Sequence, residues 1–90
     1  MTDKQKLEDL LEFPCQYQFK AVGLAGERFK NAIVHAISQH TSVVQDAVQS
    51  RPSGKGTYQS VSVLVTLYSY TQLTRIYAEM RQVSDLKMLI

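Results

Sequence analysis

The segment SVSVLVTL at positions 60–67 alternates apolar and polar residues more regularly than any other part of the chain. Val61, Val63, Val65 and Leu67 fall at every second position, and successive side chains of a β-strand point to opposite faces. This segment is therefore predicted to be a strand with one apolar face. Such a face has to be covered by another layer of structure, so the rest of the chain must supply elements that pack on it.

Three other segments are predicted to be strands and two to be helices. The first strand begins at Cys15, the second lies within residues 43–50, and the last covers residues 86–90. One helix is indicated by residues that fall at helical spacing on one side, namely Phe29, Ala32, Ile33, Ala36, Ile37 and His40. The other is indicated by the apolar stripe of Leu73, Ile76, Tyr77 and Met80. Ser69, with Gln72 three positions later, is typical of a capping box at the start of the second helix.

The N-terminal residues 1–14 are predicted to form a short helical arm. Thr2 and Gln5 have the spacing of a capping box, and Pro14 ends the segment. Between them lies a short apolar stripe of Leu7, Leu10 and Leu11. The arm is expected to dock on a single domain, residues 15–90, because a chain of ninety residues assembles only one core.

The predicted fold class is α+β, a ferredoxin-like βαββαβ sandwich. One antiparallel four-stranded sheet with both helices on one face covers every apolar stripe at once. Right-handed crossovers then place the first and third strands side by side in the middle of the sheet. The other face of the sheet is left open.

The alternation also predicts which side chains point to which face. Those predicted to face the helices are Tyr17, Phe19, Val61, Val63, Val65, Leu86 and Met88. Those predicted to point outward are Gln16, Gln18, Lys20, Tyr58, Ser60, Ser62 and Lys87, with Leu64 and Leu89 as apolar islands. This open polar face is either a solvated surface or a surface for self-association or for a protein partner.

Charge and cysteine content argue against several classes of function. The net charge is +2, and the ten basic residues are spread over the chain rather than clustered, so nucleic acid is not the expected partner. A single cysteine, Cys15, excludes an internal disulfide and every Cys-Cys metal motif, which suits a cytoplasmic protein. No apolar run approaches the roughly eighteen residues of a membrane helix.

The segment RPSGKGTY at positions 51–58 carries two glycines around a lysine, as phosphate-binding loops do. A P-loop requires the spacing G-x-x-x-x-G-K-[ST] between a strand and a helix, and this segment has neither that spacing nor a following helix. As a hairpin loop it is consistent, because Pro52 fixes φ and Gly54 and Gly56 can supply positive φ. Anion capture by Arg51, Ser53, Lys55 and the amides of the loop is the alternative.

Two further chemistries have little support in the sequence. An RNA-recognition motif has outward aromatic residues on its central strands, and only Tyr58 occupies such a position here. The candidates for a catalytic dyad or a metal site are Cys15, His35 and His40. His35 points away from the helix stripe, His40 lies at the helix end, and Cys15 is expected to be an ordinary semi-buried side chain. No catalytic residue, metal or cofactor is therefore predicted.

Four segments together are typical of one family of small bacterial proteins. They are L-L-E-F-P at 10–14, Y-x-F-K-x-x-G at 17–23, R-P-S-x-K-G-x-Y-x-S-V-S at 51–62 and K-M-L at 87–89. With these motifs the chain resembles the YbeD-like family, and the resemblance covers nearly the whole chain. The segment across the hairpin is its most specific part.

The resemblance implies a ferredoxin-like fold, a cytosolic location and a shape similar to ACT-type regulatory domains, which bind small effectors such as amino acids. It implies no enzyme activity, because the family has no established one. In ACT domains the turn after the first strand contributes to effector binding. Gly23 and Gly26 occupy the corresponding turn here by topology.

The sequence as a whole predicts a non-enzymatic regulatory or interaction module. It is expected to bind a protein partner or a small anionic ligand through the 51–58 hairpin and the open sheet face. Two alternatives stay open, an RNA-binding domain with the topology of an RNA-recognition motif and a small thiol-dependent enzyme using Cys15. The candidate binding residues are Lys20, Arg51, Ser53, Gly54, Lys55, Gly56, Tyr58 and Ser60.

Overall fold

The computed structural model describes residues 11–90 and confirms the predicted order of strands and helices. The elements are β1 (Cys15–Leu24), α1 (Glu27–Ser38), β2 (Val48–Pro52), β3 (Tyr58–Leu67), α2 (Tyr70–Arg81) and β4 (Leu86–Leu89). A short 3₁₀ turn, Gln45–Ala47, precedes β2. The predicted arm lies outside the described residues except for its last four, of which Leu11 and Phe13 pack against the core.

The sheet is antiparallel with the strand order β2-β3-β1-β4, so the predicted central pair is confirmed. Along that pair Phe19 lies opposite Val63 and Ala21 lies opposite Val61. Residues directly opposite one another in an antiparallel pair share a face of the sheet. All four are fully buried, which identifies this as the face that the helices cover.

The core lies between this inner face and the buried sides of the two helices. The helices contribute Phe29, Ile33, Ala36, Ile37, Leu73, Ile76 and Met80. Burying one large apolar side chain completely stabilises the fold by roughly 1.5 to 3 kcal/mol. At the start of α2 the Ser69 hydroxyl accepts a hydrogen bond from the Gln72 N–H at 3.2 Å, as the capping box predicts. His40, predicted to end the first stripe, lies two residues beyond the end of α1.

A pair of tyrosines closes the core at one end of β1. The hydroxyl groups of Tyr17 and Tyr77 lie 2.8 Å apart, and both rings pack on Phe19 with centroid distances of 4.9 and 5.0 Å. Partial burial, together with the hydrogen bond shared with Tyr17, raises the pKa of Tyr77 above its usual range. The inward orientation predicted for Tyr17 is therefore correct.

Gly23 lies within β1 and not in the turn after that strand, where the sequence predicts it to lie. A Cβ atom at this position would lie 2.3 to 2.6 Å from ring atoms of Phe29. Glycine therefore allows α1 to approach the sheet closely enough for the Phe29 ring to cover the backbone. The strand continues to Leu24, one more outward-facing position.

The second strand differs from its prediction. The sequence predicts it within residues 43–50, whereas β2 covers Val48–Pro52. The β-branched residues that suggest an earlier start do not pair: Val43 packs against the core, and Val44 is exposed before the 3₁₀ turn. This segment lacks a clean alternation, so the sequence contains no signal that sets its register.

Two orientations predicted for the last strand are wrong. Val22 pairs with Met88 and Gly23 pairs with Leu86, so Lys87 is an extra residue in a β-bulge. One inserted residue reverses the alternation beyond it. Leu89 therefore packs against the core instead of forming an outward island, and Met88 points outward instead of inward.

Candidate functional site

A shallow polar depression of about 530 Å³ lies on the open face, and all of its lining residues except Ser50 occupy outward-facing positions of β1, β2 and β3. Its lining consists of Gln18, Lys20, Gln49, Ser50, Arg51, Ser60 and Ser62. Ser60 and Ser62 lie side by side along β3, with Arg51 opposite Ser60 on one side and Lys20 opposite Ser62 on the other. Of the predicted binding residues, Lys20, Arg51 and Ser60 are thus brought together.

The depression is cationic. Its lining contains Lys20 and Arg51 and no acidic residue. Among residues 11–90 neither cation has a carboxylate within ion-pair distance, whereas Arg28 on the helical side pairs with Asp85 at 3.6 Å. An anion that enters the depression therefore meets two positive charges that no described acidic group neutralises.

Two other depressions of similar size differ in charge. One, of about 510 Å³, lies at the far end of the sheet near Leu64 and Tyr68 and contains no lysine or arginine. The other, of about 540 Å³, lies between α1 and β2, and its only cation, Lys30, shares the lining with Glu27. Of these three depressions, the one on the open face is best suited to an anion.

The hairpin loop between β2 and β3 closes on its own backbone. The Ser53 N–H donates to the Tyr58 carbonyl at 2.8 Å, and the Tyr58 N–H donates to the Ser53 hydroxyl at 3.3 Å. The Gly56 N–H donates to the Ser53 carbonyl at 3.0 Å. Ser53, Gly54, Lys55 and Gly56 are exposed and do not line the depression. The predicted site is therefore divided between the sheet face and the tip of the loop.

The two loop glycines are not equivalent. Gly56 has a φ of 73°, in the left-handed region that favours glycine. Gly54 does not have a positive φ, so the prediction for this residue is wrong. One left-handed residue after the turn is enough to bring the chain back into β3.

Tyr58, at the start of β3, is half-buried and does not line the depression. The ammonium nitrogen of Lys87 lies 5.6 Å from the centroid of its ring, in cation–π range. The contact links β3 with β4 across β1. Because Lys87 covers one face of the ring, Tyr58 adds little to the RNA-binding alternative, which requires an open stacking surface.

Sequence reasoning misses four outward-facing apolar residues beside the depression. Val22 and Leu24 extend the outer face of β1, and Met88 lies opposite Val22. The Ile90 N–H donates to the Lys20 carbonyl at 3.0 Å, which puts Ile90 beside Lys20. The alternation of β1 already places Val22 outward, and continued past Gly23 it would also have predicted Leu24. The orientations of Met88 and Ile90 depend on the bulge in β4.

Gln59 is a second omission, because it is a buried polar residue on the inner face of β3. Its amide nitrogen donates to the Leu24 carbonyl at 3.0 Å and to the Gly26 carbonyl at 2.6 Å. These bonds tie β3 to the turn between β1 and α1. The turn that the ACT resemblance implies for effector binding is thus engaged by Gln59, and Gly23 lies beneath Phe29 rather than in the turn.

Within residues 11–90 the histidines and the cysteine form no catalytic constellation. Cys15 is half-buried against the core, and no hydrogen bond joins it to either histidine. His35 bonds Gln39 at 2.8 Å, and the His40 ring lies 3.9 Å from the Glu79 carboxylate. That part of the chain also contains no group of three potential metal-binding side chains. None of its helices is long and apolar enough to cross a membrane.

Comparison with solved structures supports the fold. Protein HP0495 of H. pylori has a similar structure with a TM-score of 0.76, although the two sequences are 8% identical over 100% of this chain and 96% of the other. The ACT domain of the GTP pyrophosphokinase of Chlorobium tepidum has a TM-score of 0.65 at 14% identity, over 83% of this chain and 94% of that domain. The predicted ferredoxin-like, ACT-like architecture is confirmed.

Comparison with known sequences supports the predicted family. The UPF0250 proteins of Yersinia pestis and Yersinia pseudotuberculosis are each 33% identical to this chain over 87 residues, which is 97% of the chain and 99% of the relative. These relatives confirm the resemblance to the YbeD-like family. The family model described as "Protein of unknown function (DUF493)" matches residues 8–90, and the chain belongs to this family.

Proposed function

We propose that this protein is a non-enzymatic regulatory module that binds a small anionic ligand in the depression of the open sheet face. The observation that carries the proposal is the placement of Lys20 and Arg51 on either side of two serines, with no acidic residue in the lining. The ACT-like fold is consistent with a small regulatory module. A half-buried free thiol at Cys15 suits a reducing compartment, and we propose a cytoplasmic location.

The register of the strands supports a shared anion between the two cations. Lys20 and Arg51 are two strands apart and offset by two residues, which corresponds to a Cα separation of about 12 Å. Lysine and arginine side chains are long and flexible enough to converge from that separation on a group lying over Ser60 and Ser62. Charge-assisted hydrogen bonds from the cations would fix the anion, and the serine hydroxyls would orient it.

The proposal is tested by chemical-shift mapping of the labelled protein with a panel of anions that includes inorganic phosphate, a dicarboxylate and an amino acid. We expect one class of anion to shift the amides around residues 18–20, 49–51 and 60–62. The double variant Lys20→Ala/Arg51→Ala should lose this response. Arg75→Ala, which removes an exposed cation from α2, is the matched control and should keep it.

Two outcomes would overturn the proposal. One is a response spread over all exposed cations, and the other is an unchanged response in the double variant. Lys55→Ala separates the sheet face from the loop: because Lys55 lies outside the depression, its loss should weaken anion binding less than the loss of Lys20.

A further inference from the structure

An apolar strip runs along the open face beside the polar depression. We call it the apolar margin, and it consists of Val22, Leu24, Met88 and Ile90. Leu24, Met88 and Ile90 are 44%, 53% and 62% exposed, so no described part of the chain covers them. Val22 and Met88 are direct cross-strand neighbours, and Leu24 and Ile90 extend the margin along the two strands. Contiguous exposed apolar side chains bordered by polar ones are typical of an interaction surface.

The border of the apolar margin is positively charged. Lys20 lies beside Ile90, and Lys87 lies next to Met88 with its ammonium group over the Tyr58 ring. Arg51 adds a third cation across the depression. In residues 11–90 the outward-facing positions of the four strands contain no aspartate or glutamate. Asp85 lies beside Leu24, whose N–H donates to its carbonyl at 3.1 Å, but its carboxylate pairs with Arg28 on the helical side.

This charge distribution argues against a second copy as the occupant. Two identical open faces packed against each other would bring their lysines and arginines together without an acidic partner, and like charges across an interface are strongly unfavourable. The occupant has to combine apolar side chains with negative charge. It also has to fit a patch about two strands wide, roughly 5 Å across.

We propose that the apolar margin binds an amphipathic helix of a partner protein whose apolar stripe is flanked by aspartate and glutamate. Side chains three and four positions apart on a helix are about 5 to 6 Å apart, which matches the spacing of Val22 and Met88 across two strands. The acidic flanks of such a helix would lie over Lys20 and Lys87. The apolar contact supplies affinity, and the cations set the orientation of the helix.

The probe for the test is a synthetic peptide of about four helical turns with leucines at i, i+3, i+4 and i+7 and glutamates on both flanks of the stripe. Binding to the full chain is measured by fluorescence anisotropy at two salt concentrations. Two control peptides keep the length: one replaces the glutamates with lysines, and the other distributes the leucines around the helix. The acidic amphipathic peptide is expected to bind best, and its affinity should fall as salt rises.

Two substitutions decide whether the peptide uses the apolar margin. Met88→Asp is expected to weaken peptide binding about tenfold or more, because it removes an apolar contact that the bound peptide would bury and places a negative charge next to the peptide's glutamates. Val44→Asp, at an exposed valine outside the margin, is the matched control and should leave binding unchanged. Lys87→Glu should weaken binding of the acidic peptide and improve that of the lysine peptide.

The remaining outcomes separate this proposal from the anion site. If Met88→Asp abolishes peptide binding and leaves the anion-induced shifts unchanged, the docking surface is supported as a site separate from the anion site. Anion shifts without any peptide binding would overturn the docking surface and leave the anion site standing. Equal binding of both leucine arrangements, or binding to anionic vesicles but not to the peptide, would also overturn it.

Discussion

The inner and outer faces of this sheet are formed by the same strands, yet only the inner face contributes side chains to the hydrophobic core. On β3 the inward residues Val61, Val63 and Leu67 are fully buried, while the outward residues Ser60 and Ser62 line an open polar depression. The inner face is covered by both helices, and the outer face is covered by no described residue. The need for a hydrophobic core therefore explains the inward side chains of β3. It does not explain the outward serines.

The outer face is where evidence of function can lie when residues 11–90 form no catalytic constellation. Two cations that pair with no carboxylate of residues 11–90 contribute little to stability, because exposed charges gain little from their surroundings in water. The same is true of the apolar margin, whose exposure gives the fold no benefit. Binding can account for surface features that folding does not require. Substitutions on each face test whether the inner face serves stability and the outer face serves binding.

The largest effect is expected from two neighbouring residues of β1 on opposite faces. Phe19→Ala should lower the free energy of unfolding by about 3 to 5 kcal/mol, because it removes a fully buried ring and leaves a cavity. Gln18→Ala, one residue earlier on the outer face, should change it by no more than about 0.5 kcal/mol. Urea unfolding measures both. Similar losses for the two variants would contradict the division between the faces.

A smaller loss is expected where the inner face has no space for a side chain. Gly23→Ala places a methyl group 2.3 to 2.6 Å from atoms of the Phe29 ring, so the ring and α1 have to move. The expected cost is about 1 to 3 kcal/mol. Gly54→Ala is the matched control, since a methyl group there would point into open space and its φ is not positive. A combined Gly23→Ala/Phe29→Leu variant should recover part of the loss, and no recovery would argue against the ring as the cause.

The tyrosine pair at the edge of the inner face predicts a dependence on pH. Burial and the Tyr17 hydroxyl raise the folded-state pKa of Tyr77 above its unfolded value of about 10. The protonated Tyr77 hydroxyl therefore contributes fully to the stability of the fold below pH 10. This contribution is lost as the pH rises through the folded-state pKa.

Tyr77→Phe measures that contribution. At neutral pH the variant should be about 0.5 to 1.5 kcal/mol less stable, because it loses the hydrogen bond to Tyr17. Above pH 10 its stability should fall less steeply than that of the parent protein. Urea midpoints between neutral pH and pH 11 compare the two, and parallel curves would show that Tyr77 does not carry the dependence.

The sequence predicts the inner face much better than the outer one, for a physical reason. Long alternating strands such as 60–67 and a helix stripe such as Phe29 to Ile37 repeat one signal many times, so the element and its buried side follow together. Lys20 and Ser60 point outward as predicted because they lie on such strands. Where no alternating pattern repeats, as at the start of β2, neither the strand boundary nor the buried side can be predicted from the sequence.

The errors on the outer face come from interactions that no local pattern records. The bulge at Lys87 depends on how β4 pairs with β1, and it exchanges the orientations predicted for Met88 and Leu89. The separation of Lys55 from Lys20 depends on hydrogen bonds that close the loop at Ser53. Both are properties of pairing between distant segments, which the composition of either segment alone does not specify.

The smallest effect on stability should accompany a clear effect on binding. Ser62→Val removes a hydroxyl from the floor of the depression and adds a β-branched side chain that suits a strand, so the free energy of unfolding should change by no more than about 0.5 kcal/mol. Loss of one hydrogen bond should weaken the proposed anion binding by about three- to tenfold. Thr66→Val, farther along the same face of β3, is the control and should leave that binding unchanged. If Ser62→Val lowered the free energy of unfolding instead, or if both variants bound the anion equally well, the role of Ser62 would be to stabilise the fold and not to bind the anion.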